Sequence, residues 1–129
     1  MDERGVYLIS RADGLYKIGC TTNLNKRLAV HKHDFQDVRL IAFLKTNREK
    51  ELERRLHGIY STVRYEKEWF KLSITSIDFF IAAQNVDTEN LGDLLKDEEE
   101  RMYKEFMTPK SALEIAILQR SLNKRRTNS

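Results

Sequence analysis

The chain has 129 residues, 40% hydrophobic and 33% charged, which suits a water-soluble domain with a modest core and an extension. Its single cysteine, Cys20, excludes an internal disulfide and the ligand set of a zinc finger. No apolar run reaches the roughly 18 residues of a membrane span, and the first residues lack a signal-peptide layout, so a cytoplasmic location without membrane contact is expected. The net charge of +3 is uneven, with 15 basic against 10 acidic residues in 1–73 and 8 against 10 in 74–129. The basic half suits a polyanion, because lysine and arginine displace counterions from phosphates.

Val6-Tyr7-Leu8-Ile9 forms a strand pattern of β-branched and aromatic residues. Asp13-Gly14 is a hairpin turn signal, and Leu15-Tyr16-Lys17-Ile18 is the return strand. Thr21 or Thr22 can cap a helix running to about His33. A third strand follows over Val38–Leu44, then a capping box, Thr46 with Glu49, opening a helix to about Tyr60. Trp69–Leu72 reads as a short edge strand or an extended segment, and Thr75 with Asp78 opens a helix to about Gln84. The order β-β-α-β-α predicts a mixed α/β domain over residues 3–84.

Residues 87–129 read as a helical extension. Eight acids against three bases fall in 87–105, where Leu91, Leu95, Met102 and Phe106 lie near one helical stripe. Pro109 starts a last helix carrying Leu113, Ile117 and Leu122, followed by the basic tail Lys124-Arg125-Arg126. This extension is expected to pack on the domain or to form a homodimer or partner-protein contact.

The candidate site gathers in the basic half. Strand alternation puts Gly5 and Tyr7 on one face, Lys17 and Gly19 on one face, and Tyr16 with Ile18 on the other. Glycines at 5 and 19 leave room for a backbone or a phosphate to approach. Leu24, Arg27, Leu28 and His31 form a helical stripe, from which Arg27 and His31 emerge together at the sheet edge. Glu53 stands beside the apolar positions Leu52, Leu56 and Ile59. Phosphodiester hydrolysis needs these types. A tyrosine takes a proton from water if a cation such as Lys17 favours its phenolate. Arg27 clamps a phosphate oxygen, and Glu53 holds a hard cation such as magnesium that steadies the leaving oxygen. Singly, each residue has an ordinary reading: core for Tyr7, solvated for Lys17 and Arg27, paired with Arg54 or His57 for Glu53. The argument rests on the combination.

Gly5-Val6-Tyr7 and Lys17-Ile18-Gly19, with LNKRLAVH (24–31), ELERRLH (51–57) and EKEWFKL (66–72), resemble the GIY-YIG nuclease superfamily, in its T5orf172 or Mug113 branch. The resemblance covers about residues 4–73. It implies an α+β fold, a three-stranded antiparallel sheet flanked by helices, and metal-dependent cleavage of nucleic acid through one carboxylate; the first hypothesis is a phage or bacterial endonuclease acting on single- or double-stranded DNA, with RNA left open. Tyr7, Lys17, Arg27, His31 and Glu53 would be catalytic, and Glu53 would bind Mg²⁺ or Mn²⁺. Tyr16, Lys26, His57 and Trp69 would contact nucleic acid. Lys17 stands where the second motif's tyrosine normally lies, with Tyr16 as the alternative. The asparagine often found near the family's C-terminal end is missing; Trp69-Phe70, preceded by Glu66 and Glu68, occupies that region. The rival reading is a non-catalytic nucleic-acid-binding or protein-interaction module on the same fold. A regulator working through the extension would expose a stripe of Leu91, Leu95 and Met102.

Overall fold

A computed structural model describes residues 3–35, 37–87 and 89–105. By contact the chain divides into two compact units, Met1–Glu98 and Glu99–Ser129. The first unit opens with strands β1 (Gly5–Ser10) and β2 (Tyr16–Thr21), followed by helix α1 (Leu24–Asp34), strand β3 (Arg39–Lys45) and helix α2 (Glu49–Ile59). A short 3₁₀ turn, Ser61–Val63, leads to β4 (Arg64–Glu66), β5 (Trp69–Phe70) and helix α3 (Ile74–Ala83). Residues 89–105 are helical.

The sheet has five strands in the order β3-β1-β2-β5-β4, each pair antiparallel, and not three. The extra pair is a hairpin of three and two residues turning at Lys67, whose φ is 50°. β5 falls within the strand or extended segment expected over Trp69–Leu72, but it lies inside the sheet rather than at its edge, which β4 forms; β4 is too short to show an alternation. The first hairpin forms at Asp13-Gly14 as expected. Gly14 takes a φ of 84°, and Arg11 pairs with Asp13 across the turn at 2.6 Å.

Helix α1 is capped by Asn23 rather than Thr21 or Thr22, its side chain accepting from Lys26 N at 3.1 Å. Thr21 serves the cap indirectly, its Oγ1 accepting from Asn23 N at 3.0 Å. The expected capping box of α2 does not form. Thr46 Oγ1 accepts from Arg48 N at 3.0 Å, and the Glu49 carboxylate turns to Arg4, with Nη2–Oε1 at 2.8 Å and Nε–Oε2 at 3.1 Å. A charge-assisted bidentate pair is stronger than a neutral cap and takes the carboxylate.

The core lies on both faces of the sheet. Tyr7, Ile9, Leu15, Leu24, Val38 and Trp69 form one cluster, with Leu28, Phe35 and Phe43 against it, so α1 covers this face. Val6, Leu8, Ile18 and Phe70 alternate to the other face, where α2 packs on β2 and β1 and α3 on β3. At the free edge of β3, Gln84 Oε1 accepts from Phe43 N at 3.2 Å. Tyr60 donates to Glu98 from the C-terminal end of α2.

Leu95 and Met102 are buried and Leu91 is half-buried, so the exposed stripe expected of a regulator is not there. Phe106, the helix expected from Pro109 and the basic tail lie outside the described residues. Among the described residues no helix is long and apolar enough to cross a membrane.

Candidate active site

The sheet separates the candidate residues into two sets. On the α1 face Tyr7 is buried, its Oη 2.9 Å from Nε2 of the equally buried His31. Gly19 lies directly across from Tyr7, and a Cβ there would stand 2.3 Å from the phenol oxygen. The glycine of the second motif therefore seats the tyrosine of the first. Gly5 serves the backbone instead, since a Cβ there would meet the Leu44 carbonyl oxygen at 2.2 Å. Neither glycine leaves the room for a phosphate that the sequence suggested.

His31 does not emerge beside Arg27. Leu24 and His31 are buried and Arg27 is exposed, so the stripe of α1 splits, with Arg27 at its outer border. Burial holds the His31 imidazole below its ordinary range, and the positive fields of Lys17 and Arg27 push the same way. Burial also pushes the Tyr7 phenol well above its usual value, with Arg27 opposing and Glu68, Glu53 and Cys20 adding to it. At neutral pH both groups are therefore uncharged, and the pair is joined either by the phenol O–H donating to Nε2, with the ring proton on Nδ1, or by Nε2–H donating to the phenol oxygen.

Lys17 does lie on the face of Tyr7, paired across from Ile9 and Trp69, whereas Tyr16 faces the other way, across from Ser10 and Phe70. Yet Lys17 Nζ is 3.2 Å from Glu68 Oε2, and the cation that favours the Tyr7 phenolate is Arg27. Glu68 is the residue that sequence reasoning missed. It is held by the β2–β5 register, its carbonyl accepting from Ile18 N at 3.2 Å. Only the pairing of a two-residue strand could have pointed to it.

On the α2 face stands Glu53, half-buried. Cys20 shares this side of the sheet, and burial, with the nearby Glu53 carboxylate adding to it, pushes its thiol up to about 12. Cys20 thus stays protonated. His57 Nε2–H donates to the Ile18 carbonyl at 2.7 Å, which spends that nitrogen on the fold. Cys20, Glu53 and His57 share the lining of a cavity of about 620 Å³.

The two sets meet along one flank of β2. Strand β5 pairs only with Tyr16 and Lys17, so Gly19–Thr21 have a strand neighbour on one side alone. Through this gap the field of Glu53 reaches the Tyr7 phenol.

Of the other candidate contacts, Lys26 is exposed beside Arg27 and Tyr16 is half-buried. Trp69 is in the core, edge-on to Phe35 at 5.4 Å, with the Arg11 guanidinium 4.5 Å from its ring centre. Its faces are covered, so it packs rather than offering a surface for a base. Among the described residues no three His, Cys, Asp or Glu side chains group to hold a metal. A lone carboxylate fits a hard cation such as Mg²⁺, which keeps several waters and binds through one or two carboxylates and substrate phosphates.

The family model of the T5orf172 domain matches residues 4–84. The chain belongs to the T5orf172 family. The match runs through β1 to the end of α3 and holds every candidate residue of both faces. This family is associated with nuclease-like proteins and is the branch of the GIY-YIG superfamily that the motifs resemble. No curated protein and no solved structure matches the T5orf172 chain.

Proposed function

We propose that the chain is a divalent-metal-dependent endonuclease that hydrolyses phosphodiester bonds of DNA. The observation that carries this reading is the buried Tyr7–His31 pair, 2.9 Å apart, with Arg27 and Glu53 acting on it electrostatically. A phenol held far above neutrality is no base alone. Next to a neutral imidazole whose ring proton is on Nδ1 it becomes a relay, since Tyr7 can take the proton of an attacking water as its own passes to His31 Nε2. The water oxygen forms the new bond to phosphorus, and the bond to the leaving oxygen breaks. Arg27, exposed at the border of the pair, neutralises charge growing on the non-bridging oxygens. Glu53, beside Cys20 in the cavity lining, would hold Mg²⁺ or Mn²⁺, which supplies charge stabilisation at the leaving oxygen. Lys17, tied to Glu68, adds positive field that keeps His31 unprotonated and ready to accept.

The test is incubation of purified protein with labelled single- and double-stranded DNA in Mg²⁺, Mn²⁺ or EDTA, beside Glu53→Ala. Cleavage that needs the ion and disappears in the variant supports the reading. Equal cleavage by the variant overturns it, and binding with no cleavage favours the non-catalytic module.

A further inference from the structure

The cavity on the α2 face has a chemistry that the hydrolytic step does not use. Besides the residues around Glu53 it is lined by Lys50, Arg54, Gly58, Ser61 and Arg64. Positions 50, 54 and 58 recur every four residues along one side of α2, away from the buried Leu52, Leu56 and Ile59. At a rise of 1.5 Å per residue they span about 12 Å. Arg64 enters from β4, its guanidinium 5.5 Å from the ring centre of Phe70. Among the described residues no carboxylate lies in ion-pair contact with Lys50, Arg54 or Arg64, whereas Arg4, Arg11 and Lys17 each have one. Glu53 is the one carboxylate among the lining residues, set against Lys50, Arg54 and Arg64, so the lining carries a positive balance that suits an anion. No Phe, Tyr or Trp is among the lining residues, so the cationic side chains dominate it.

Resting on the nuclease reading above, we propose that this cavity seats the sugar-phosphate backbone of one unpaired nucleic-acid strand next to the bond presented to Glu53. A volume of about 620 Å³ is that of a small-molecule site and takes a nucleotide or two, not a duplex. Lys50, Arg54 and Arg64 contact phosphates, and recognition is indifferent to sequence. Gly58 keeps the floor open, since a Cβ added there meets nothing within 4 Å.

That last fact supplies a clean test. Binding of a labelled 12-nucleotide single strand to the full chain is followed by fluorescence anisotropy in EDTA, at several salt concentrations, for wild type, Arg54→Gln, Arg64→Gln and Gly58→Leu. Each arginine variant should weaken binding uniformly across sequences and lower the slope of log K against log[salt] by about 1. Gly58→Leu should weaken binding about tenfold or more by filling the cavity, while its melting temperature holds or rises because a helical glycine is removed. Wild-type affinity and salt slope in all three variants would overturn the proposal, and would leave the nuclease reading intact if the same preparations cut DNA. A mononucleotide that binds as tightly as the strand would also overturn it, in favour of a free-nucleotide site. If wild type neither bound nor cut any strand, both readings would fall together.

Discussion

The two faces of the sheet solve opposite problems. On the α1 face, Tyr7 and His31 are buried and uncharged at neutral pH, and their one polar contact is with each other. On the α2 face, Glu53 and its basic neighbours line a cavity. Proton transfer benefits from a fixed pair that burial holds uncharged. Binding a metal or a phosphate needs charge and an opening. A sheet only a few strands wide lets both stand within electrostatic reach of one bond without sharing a solvent environment.

The sharpest way to break this division is to remove one side of it. Glu53→Gln, which keeps shape and loses charge, should lower metal-dependent cleavage by about 10²–10³-fold with an unchanged melting temperature. Tyr7→Phe should lower cleavage by a similar factor of about 10²–10⁴. Unlike Glu53→Gln, it should also cost about 1–3 kcal/mol in urea unfolding, because Nε2 of buried His31 loses its partner. Equal stability in the two variants would contradict the contrast between the faces.

Gly19→Ala comes next. A methyl 2.3 Å from the Tyr7 oxygen must displace the ring or the strand. Overpacking of this kind costs about 1–3 kcal/mol, and cleavage should fall because the phenol leaves His31. Partial recovery of stability in Gly19→Ala with Tyr7→Phe would show that the clash is with the hydroxyl.

The pH dependence sharpens the comparison further. His31 is held below its ordinary 6.5, so the folded state binds fewer protons than the unfolded chain. Its contribution to stability is complete above 6.5 and is lost as pH falls through the folded value. Tyr7 is raised above 10.0, so its contribution is complete below 10.0 and is lost as pH rises beyond it. Melting curves of wild type minus His31→Asn should therefore show a difference that shrinks below about 6.5. The acid limb of cleavage should lie below 6.5 for the same reason. The smallest effect is expected from Glu68→Gln. Freeing Lys17 should change cleavage only severalfold and leave the pocket of Tyr7 intact, since pairs this exposed contribute about 0–1 kcal/mol.

The first hairpin, three helices of the matched domain and a third strand are legible in the sequence because each is long enough to show a period or a turn signal. Asp13-Gly14 marks its turn with the glycine at positive φ. Of the second hairpin only β5 is legible, within the strand or extended segment read over Trp69–Leu72; β4 and the turn on Lys67 are not, since three strand residues and a turn without glycine offer no signal. The same limit hid the place of Glu68, which depends on pairing with Ile18 in a strand far earlier in the sequence. The side of the sheet was legible for Lys17 and Tyr16, because alternation is geometric. The burial of His31 was not, because a helix period says which residues share a stripe and not how deep its border lies. Glu49 shows the remaining limit: a local capping pattern loses to a distant arginine.

Gln84 has a consequence beyond holding α3 to the sheet. The outer edges of a sheet are templates for further strands, and intermolecular growth along them leads to aggregates. Here one edge is β4, three residues long and bearing Arg64 and Glu66. The other is β3, where the Gln84 amide already occupies the N–H of Phe43 at mid-strand. Both ends of the ladder are blunted, so crowding copies of this chain together should leave them in solution as separate sheets.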